Sequence, residues 1–391
     1  MVMVRKASRN VGKYTLTHKS QPYKRTSRPT RTIMTRSQCI TSTSFFHRLP
    51  PEVFDMILDK LSGLLFKRCT LLLPTKERLK FISGMFSQIP CFMLEQCLAA
   101  DCIGFSSYGV FLQTLIAGWD ELECHRVFNF LCDLTNLLQK IEAVTTAKPG
   151  VRWHQELQIR LFCRQVLLDP WPKQPECQFW LIQLLKPWPI VSQAHLLFIL
   201  YGPLQPDGTL GWQDLVERGL PHSALWDLAR AILLLFGKLE VKGWTTGSVL
   251  AILEELIVIP HPWHVENVAR LLVLCGRSLC FTVLANKALN GRRLEISRLI
   301  VYIILVCEKD GYHMSWAVKL VQQIYKVFST GPERFCFIQQ LENIFSEITK
   351  EIFEFSIAMN QLEDGETFRT LCILLDSSAR FHTKFLHMFL K

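Results

Sequence analysis

A chain of 391 residues with 49% apolar side chains can bury a substantial core, which excludes disorder for the bulk of it. The net charge of +10 does not describe the folded part: residues 1–44 hold ten Lys and Arg and no acid, leaving 34 basic against 34 acidic residues in the remainder. Overall basicity is therefore no argument for a basic face, and a nucleic acid is not expected as a partner.

Residues 1–44 also carry fourteen Ser and Thr with little apolar periodicity, so the sequence predicts a disordered basic tail. Its cluster from Lys24 to Arg31 suits a nuclear address, a phosphate contact or a plain solvated tail; an amphipathic transit peptide fits less well. No apolar leader follows Met1–Val4, where Arg5 and Lys6 come at once. No Asn sits in a glycosylation sequon, and Cys132, Cys163 and Cys307 lie inside apolar runs. Together these predict free thiols in a reducing compartment, nuclear or cytoplasmic.

At residue 45 the pattern changes. Pro51 and Glu52 open a helix well, because proline lacks an N–H the first turn cannot use and the carboxylate faces the positive dipole end. Val53, Ile57, Leu58 and Leu61 then make an apolar stripe over about eleven residues. This is either an ordinary core helix or a docking surface.

From there to the C-terminus the period is helical throughout. Leu122, Val127, Phe130, Leu131, Leu134, Leu137, Leu138 and Ile141 form one broad stripe, with acids at its start and Lys140 near its end. Asp169-Pro-Trp171 to Trp180 and Lys186-Pro-Trp188-Pro189 concentrate proline and tryptophan, as an aromatic-lined partner site or as helix corners pinned by proline with Trp beneath. Asn290-Gly291 reads as a helix end and Thr330-Gly-Pro332-Glu333 as a capping box. Leu299–Cys307, nine apolar residues between Arg298 and Glu308, is too short for the roughly 20 that span a membrane and reads as a buried helix. About fifteen helices result, with no strand alternation and no recognisable repeat; the fold class is all-α, an irregular solenoid-like stack of antiparallel helix pairs.

Catalytic patterns are missing, and no catalytic residue is assigned. Gly12-Lys13 and Gly237-Lys238 lack the remainder of a phosphate-binding loop, and Gly104 to Gly109 has the wrong spacing for a nucleophile elbow. No C-x-x-C occurs; Cys91, Cys97, Cys102, Cys275, Cys280 and the pair His261 and His264 are spaced poorly for zinc, so neither metal nor cofactor is expected. The protein reads as a non-catalytic holder of partners.

Leu49-Pro50-Pro51-Glu52-Val53-Phe-Asp-Met-Ile57-Leu58-Asp-Lys-Leu61 resembles the opening of an F-box, and Gly63–Lys80, Gly118–Asn136 and Lys326–Thr330 are similar to members of the F-box only protein family. The resemblance implies a substrate-recognition adaptor of an SCF-type ubiquitin ligase. Leu49, Pro50, Val53, Ile57, Leu58 and Leu61 would face the adaptor Skp1, which leads to cullin and RING subunits. It divides the chain into a tail (1–44), a partial F-box (45–62) and a helical substrate-binding domain (63–391). After Leu61-Ser62 the pattern departs from the family's, running straight to Gly63-Leu-Leu-Phe without the second and third F-box helices. A helical scaffold without ligase association is the alternative.

Overall fold

The computed structural model describes Glu77, Leu79, Lys80 and Gly84, then residues 103–389 except 117, 172–173, 238–243 and 359–364. The tail and the F-box-like helix lie outside the described residues. Fifteen α-helices fill the described part: α1 (Ile103–Ile116), α2 (Glu121–Thr135), α3 (Leu137–Thr145), α4 (Trp153–Phe162), α5 (Gln174–Leu185), α6 (Ile190–Tyr201), α7 (Asp214–Glu217), α8 (Trp226–Phe236), α9 (Thr246–Leu256), α10 (Val265–Leu274), α11 (Gly276–Leu289), α12 (Arg293–Lys309), α13 (Ser315–Val327), α14 (Gly331–Ala358) and α15 (Gly365–Phe389). Among the described residues no strand forms, and Leu204 and Leu210 make an isolated bridge. The chain is all-α, as its periodicity predicts.

The stacking follows a skip-one rule. α10 packs on α12 and α12 on α14, while α11 packs on α13 and α13 on α15. Alternate helices thus form parallel rows, the geometry of a solenoid. α6 lies deepest, touching α3, α4, α8 and α9, and every residue from Gln193 to Tyr201 is buried. Its sequence explains this: a helix apolar on all sides can only be stable inside. α12 is the second such helix. Its run Leu299–Cys307 needs no lipid, because protein covers it apart from partly exposed Tyr302. No helix among the described residues is long and apolar enough to cross a membrane.

Local signals work as physics dictates. The Thr330 hydroxyl accepts from the Glu333 N–H, and the Glu333 carboxylate accepts from the Thr330 N–H, closing the capping box that opens α14. Gly291 ends α11 with φ +74°, a left-handed geometry that glycine adopts without strain. His264 caps α10 through Nδ1, accepting from Glu266 N–H at 3.3 Å. One expectation fails: the stripe from Leu122 to Ile141 is two helices, not one. Asn136, at φ +51°, breaks it and redirects the buried face, leaving Leu122 and Leu134 exposed. Asparagine tolerates this region, and its side chain carries no breaker signal as strong as Gly or Pro.

The nine cysteines among the described residues are free thiols. Burial pushes Cys132 and Cys275 up to about 12, so they behave as small hydrophobes.

His195, on buried α6, gives the first prediction. It stands edge-on to Trp212 at 5.0 Å with Nε2 unpartnered. Burial lowers its pKa to about 4, with a hydrogen bond to the Thr145 backbone pulling the other way. An unfolded histidine protonates near 6.5, so between about pH 6.5 and 4 the unfolded chain binds the extra proton. Stability therefore falls as pH drops through that window, by up to about 3 kcal/mol from this residue. Urea midpoints at pH 7.5 and 4.5 should differ markedly less in His195→Asn than in the native chain.

Candidate partner-binding cleft

α4 does not stop cleanly. It runs on as a π-helical turn, Cys163–Leu168, in which Asp169 N–H reaches back to the Arg164 carbonyl at 2.7 Å. Such wide turns recur at functional sites. Here Gly109 of α1 lies so near that a Cβ would meet the Gln165 carbonyl oxygen at 2.1 Å and Pro170 Cγ at 2.6 Å, so only glycine admits this packing.

The end of α4 and this turn place two arginines, Arg160 and Arg164, against the end of α6. Arg160 Nη1 donates to the carbonyls of Ile199 and Gly202, both at 2.9 Å. It thereby satisfies acceptors that a helix C-terminus leaves open and sets positive charge against the negative dipole end. Burial lowers its pKa to about 10, and Arg164 nearby adds to that. Arg164 faces outward: Nε donates to both oxygens of Asp169 (2.8 and 3.1 Å), Nη1 reaches Asp227 at 3.3 Å, and its guanidinium lies 4.7 Å from the Tyr201 ring centroid. Burial works against its charge, but Asp169, Tyr201 and Asp227 more than offset this and hold its pKa above the usual arginine range.

Beyond these groups opens a cleft of about 440 Å³. Leu168, Trp171, Cys177 of α5, and Arg230 with Leu233 of α8 line it. Arg230 and Leu233 are exposed, and Trp171 is buried. Trp180, behind it at 5.7 Å, is fully buried, and Trp188 donates to the Leu184 carbonyl at 3.0 Å. The proline-tryptophan segments are thus helix corners with Trp packed beneath, but one corner also walls the cleft. Burial, with Asp169 adding to it, pushes the pKa of the Cys177 thiol lining this cleft up to about 11. Among the described residues no group of three or more His, Cys, Asp or Glu could hold a metal ion.

Leu49, Pro50, Val53, Ile57, Leu58 and Leu61 lie outside the described residues, as do Cys91, Cys97 and Cys102. Sequence reasoning named Asp169 and Trp171 but missed Arg160, Arg164, Asp227 and Arg230. The available signal was the Arg160/Arg164 pair, four residues apart, in the largely apolar stretch Ile159–Leu168; nothing local links it to Asp227, 63 residues on.

The family model described as "FBXO47, ARM repeats" matches residues 134–372, more than half of the chain. F-box only protein 47 of Mus musculus is 49% identical over 328 residues, covering 83% of this chain and 72% of that protein. The chain belongs to the F-box only protein 47 family. F-box only protein 47 of Homo sapiens is 48% identical over the same shares. No solved structure matches the chain. The family model corrects one expectation: the helices across residues 134–372 are ARM repeats, although no repeat is visible in the residue pattern. ARM stacking accounts for the skip-one packing of α10 to α14, and the whole cleft falls inside the matched span.

Proposed function

We propose that this chain is the substrate-recognition subunit of an SCF-type ubiquitin ligase, a non-catalytic adaptor working in the nucleus or cytoplasm. Leu49, Pro50, Val53, Ile57, Leu58 and Leu61 grip Skp1, which connects to cullin and RING subunits, and the helical domain holds the protein to be ubiquitinated. The observation that carries this reading is membership of an F-box family together with the L-P-x-E-V motif at 49–53.

The magnitudes make the grip a close balance. Each apolar side chain contributes about 1.5–3 kcal/mol when fully buried. Association costs about 4–15 kcal/mol before any ordering of the helix. One helix without the second and third F-box helices therefore has a narrow margin, which is what favours the second reading, a partner-holding helical scaffold with no ligase attached.

Co-purification of tagged full chain with purified Skp1 separates the two. Skp1 is retained by the native chain and lost with Leu58→Asp plus Leu61→Asp, while the thermal unfolding of the helical domain is unchanged. Skp1 failing to co-purify with the native chain would overturn the adaptor reading and leave the scaffold.

A further inference from the structure

We propose that the cleft beside Arg164 receives an acidic peptide segment of a partner protein, one of its carboxylates seated between Arg164 and Arg230. This rests on reading the helical domain as the partner-holding part of the chain and adds where it holds and what chemistry it selects.

Two guanidinium groups lining the cleft have donors left over. Arg164 spends Nε and Nη1 on Asp169, Asp227 and the Leu200 carbonyl, and its Nη2 meets no hydrogen-bond acceptor among the described residues. Arg230 is exposed at the rim and has no ion-pair partner among the described residues. The cleft's carboxylates are engaged: Asp169 holds Arg164 through both oxygens and Asp227 through one. The negative end of α6 beneath is already covered by Arg160. What the cleft lacks is an anion with two acceptor oxygens, which matches the fork of a guanidinium.

The walls choose the remainder of the ligand. Exposed Leu233 and the accessible edge of Trp171 give the cleft that both arginines line an apolar component, so the anion belongs to a chain with apolar side chains next to it. A volume of about 440 Å³ falls in the range of specific ligand pockets and suits a few side chains in an extended segment. Trp171 is held in place by packing on Trp180, so the small edge it leaves accessible is presented at little entropic cost.

The test is fluorescence anisotropy of the full chain with Skp1 omitted, using three labelled peptide pools. Each pool has randomised flanks around a fixed Leu-Glu-Asp-Leu, Leu-Gln-Asn-Leu or Leu-phosphoserine-Ala-Leu centre. The acidic pool binds at least about tenfold more tightly than the amide pool, and that margin disappears in Arg230→Glu and weakens in Leu233→Asp, two exposed positions whose replacement leaves thermal unfolding unchanged. Equal binding of the acidic and amide pools, binding by the phosphoserine pool alone, no binding by any pool, or an unaltered Arg230→Glu overturns the proposal. Because Skp1 is absent, each of these results leaves the adaptor reading standing, and loss of Skp1 binding leaves this one standing.

Discussion

Phe198→Ala is expected to lower the free energy of unfolding by about 3–5 kcal/mol, with a matching fall in urea midpoint. Phe198 is fully buried near the C-terminal end of α6. It stacks on Trp212 at 3.9 Å and meets Trp263 edge-on at 6.0 Å, so three aromatic rings from separate segments share one contact. Gly202 closes over it: a Cβ there would approach the Phe198 carbonyl oxygen at 2.6 Å and its ring at 2.7 Å. Truncation removes the ring and leaves a cavity whose walls, being helices packed on every side, collapse poorly. A loss below about 1 kcal/mol would mean that α6 is not the keystone of this end of the stack.

Arg270→Met is expected to cost about 3–5 kcal/mol, for a different reason. Arg270 is buried on α10 and joins three parts of the chain. Nε donates to Asp310 at 2.9 Å, Nη2 to Glu266 at 2.9 Å, and Nη1 to the Leu220 carbonyl. Lys309 meets Glu266 at 3.0 Å. Burial raises the Glu266 carboxyl, but Lys309 and Arg270 outweigh it and hold its pKa below the usual range. Beside this cluster Asn267, fully buried, accepts from Leu220 N–H and donates to the carbonyls of Leu215 and Arg218. Together the two residues fasten the 215–220 segment and the end of α12 to α10. Methionine keeps the bulk and removes every donor, so Asp310 and the Leu220 carbonyl lose a partner where water is scarce. Removing one member of a buried pair costs more than removing both. Arg270→Met with Asp310→Leu should therefore recover part of the loss seen in the single variant, as measured by urea unfolding of all three.

How far the sequence could be read depended on how local each cause was. The α14 cap and the end of α11 involve residues at most three apart, and both were legible in Thr330, Glu333 and Gly291. α12 was legible because nine apolar residues between charges have few other fates. The break at Asn136 was not, since periodicity reports which residues are apolar and not where the axis turns. The ARM repeat was hidden for a related reason. Solenoid packing constrains which faces are apolar, and many residues satisfy that constraint, so tryptophan and proline fell at no fixed interval. The cleft lay beyond reach altogether: Arg164 is fixed by Asp169, Tyr201 and Asp227, and only the first is a sequence neighbour.

An adaptor role requires residues 49–61 to be a surface for another chain. Size-exclusion chromatography with light scattering on the full chain co-expressed with Skp1 measures this directly. The adaptor reading predicts a single peak whose mass equals one copy of each protein, dissociating when Leu58 and Leu61 are both aspartate. Separate elution of the two native proteins at micromolar concentration would contradict it.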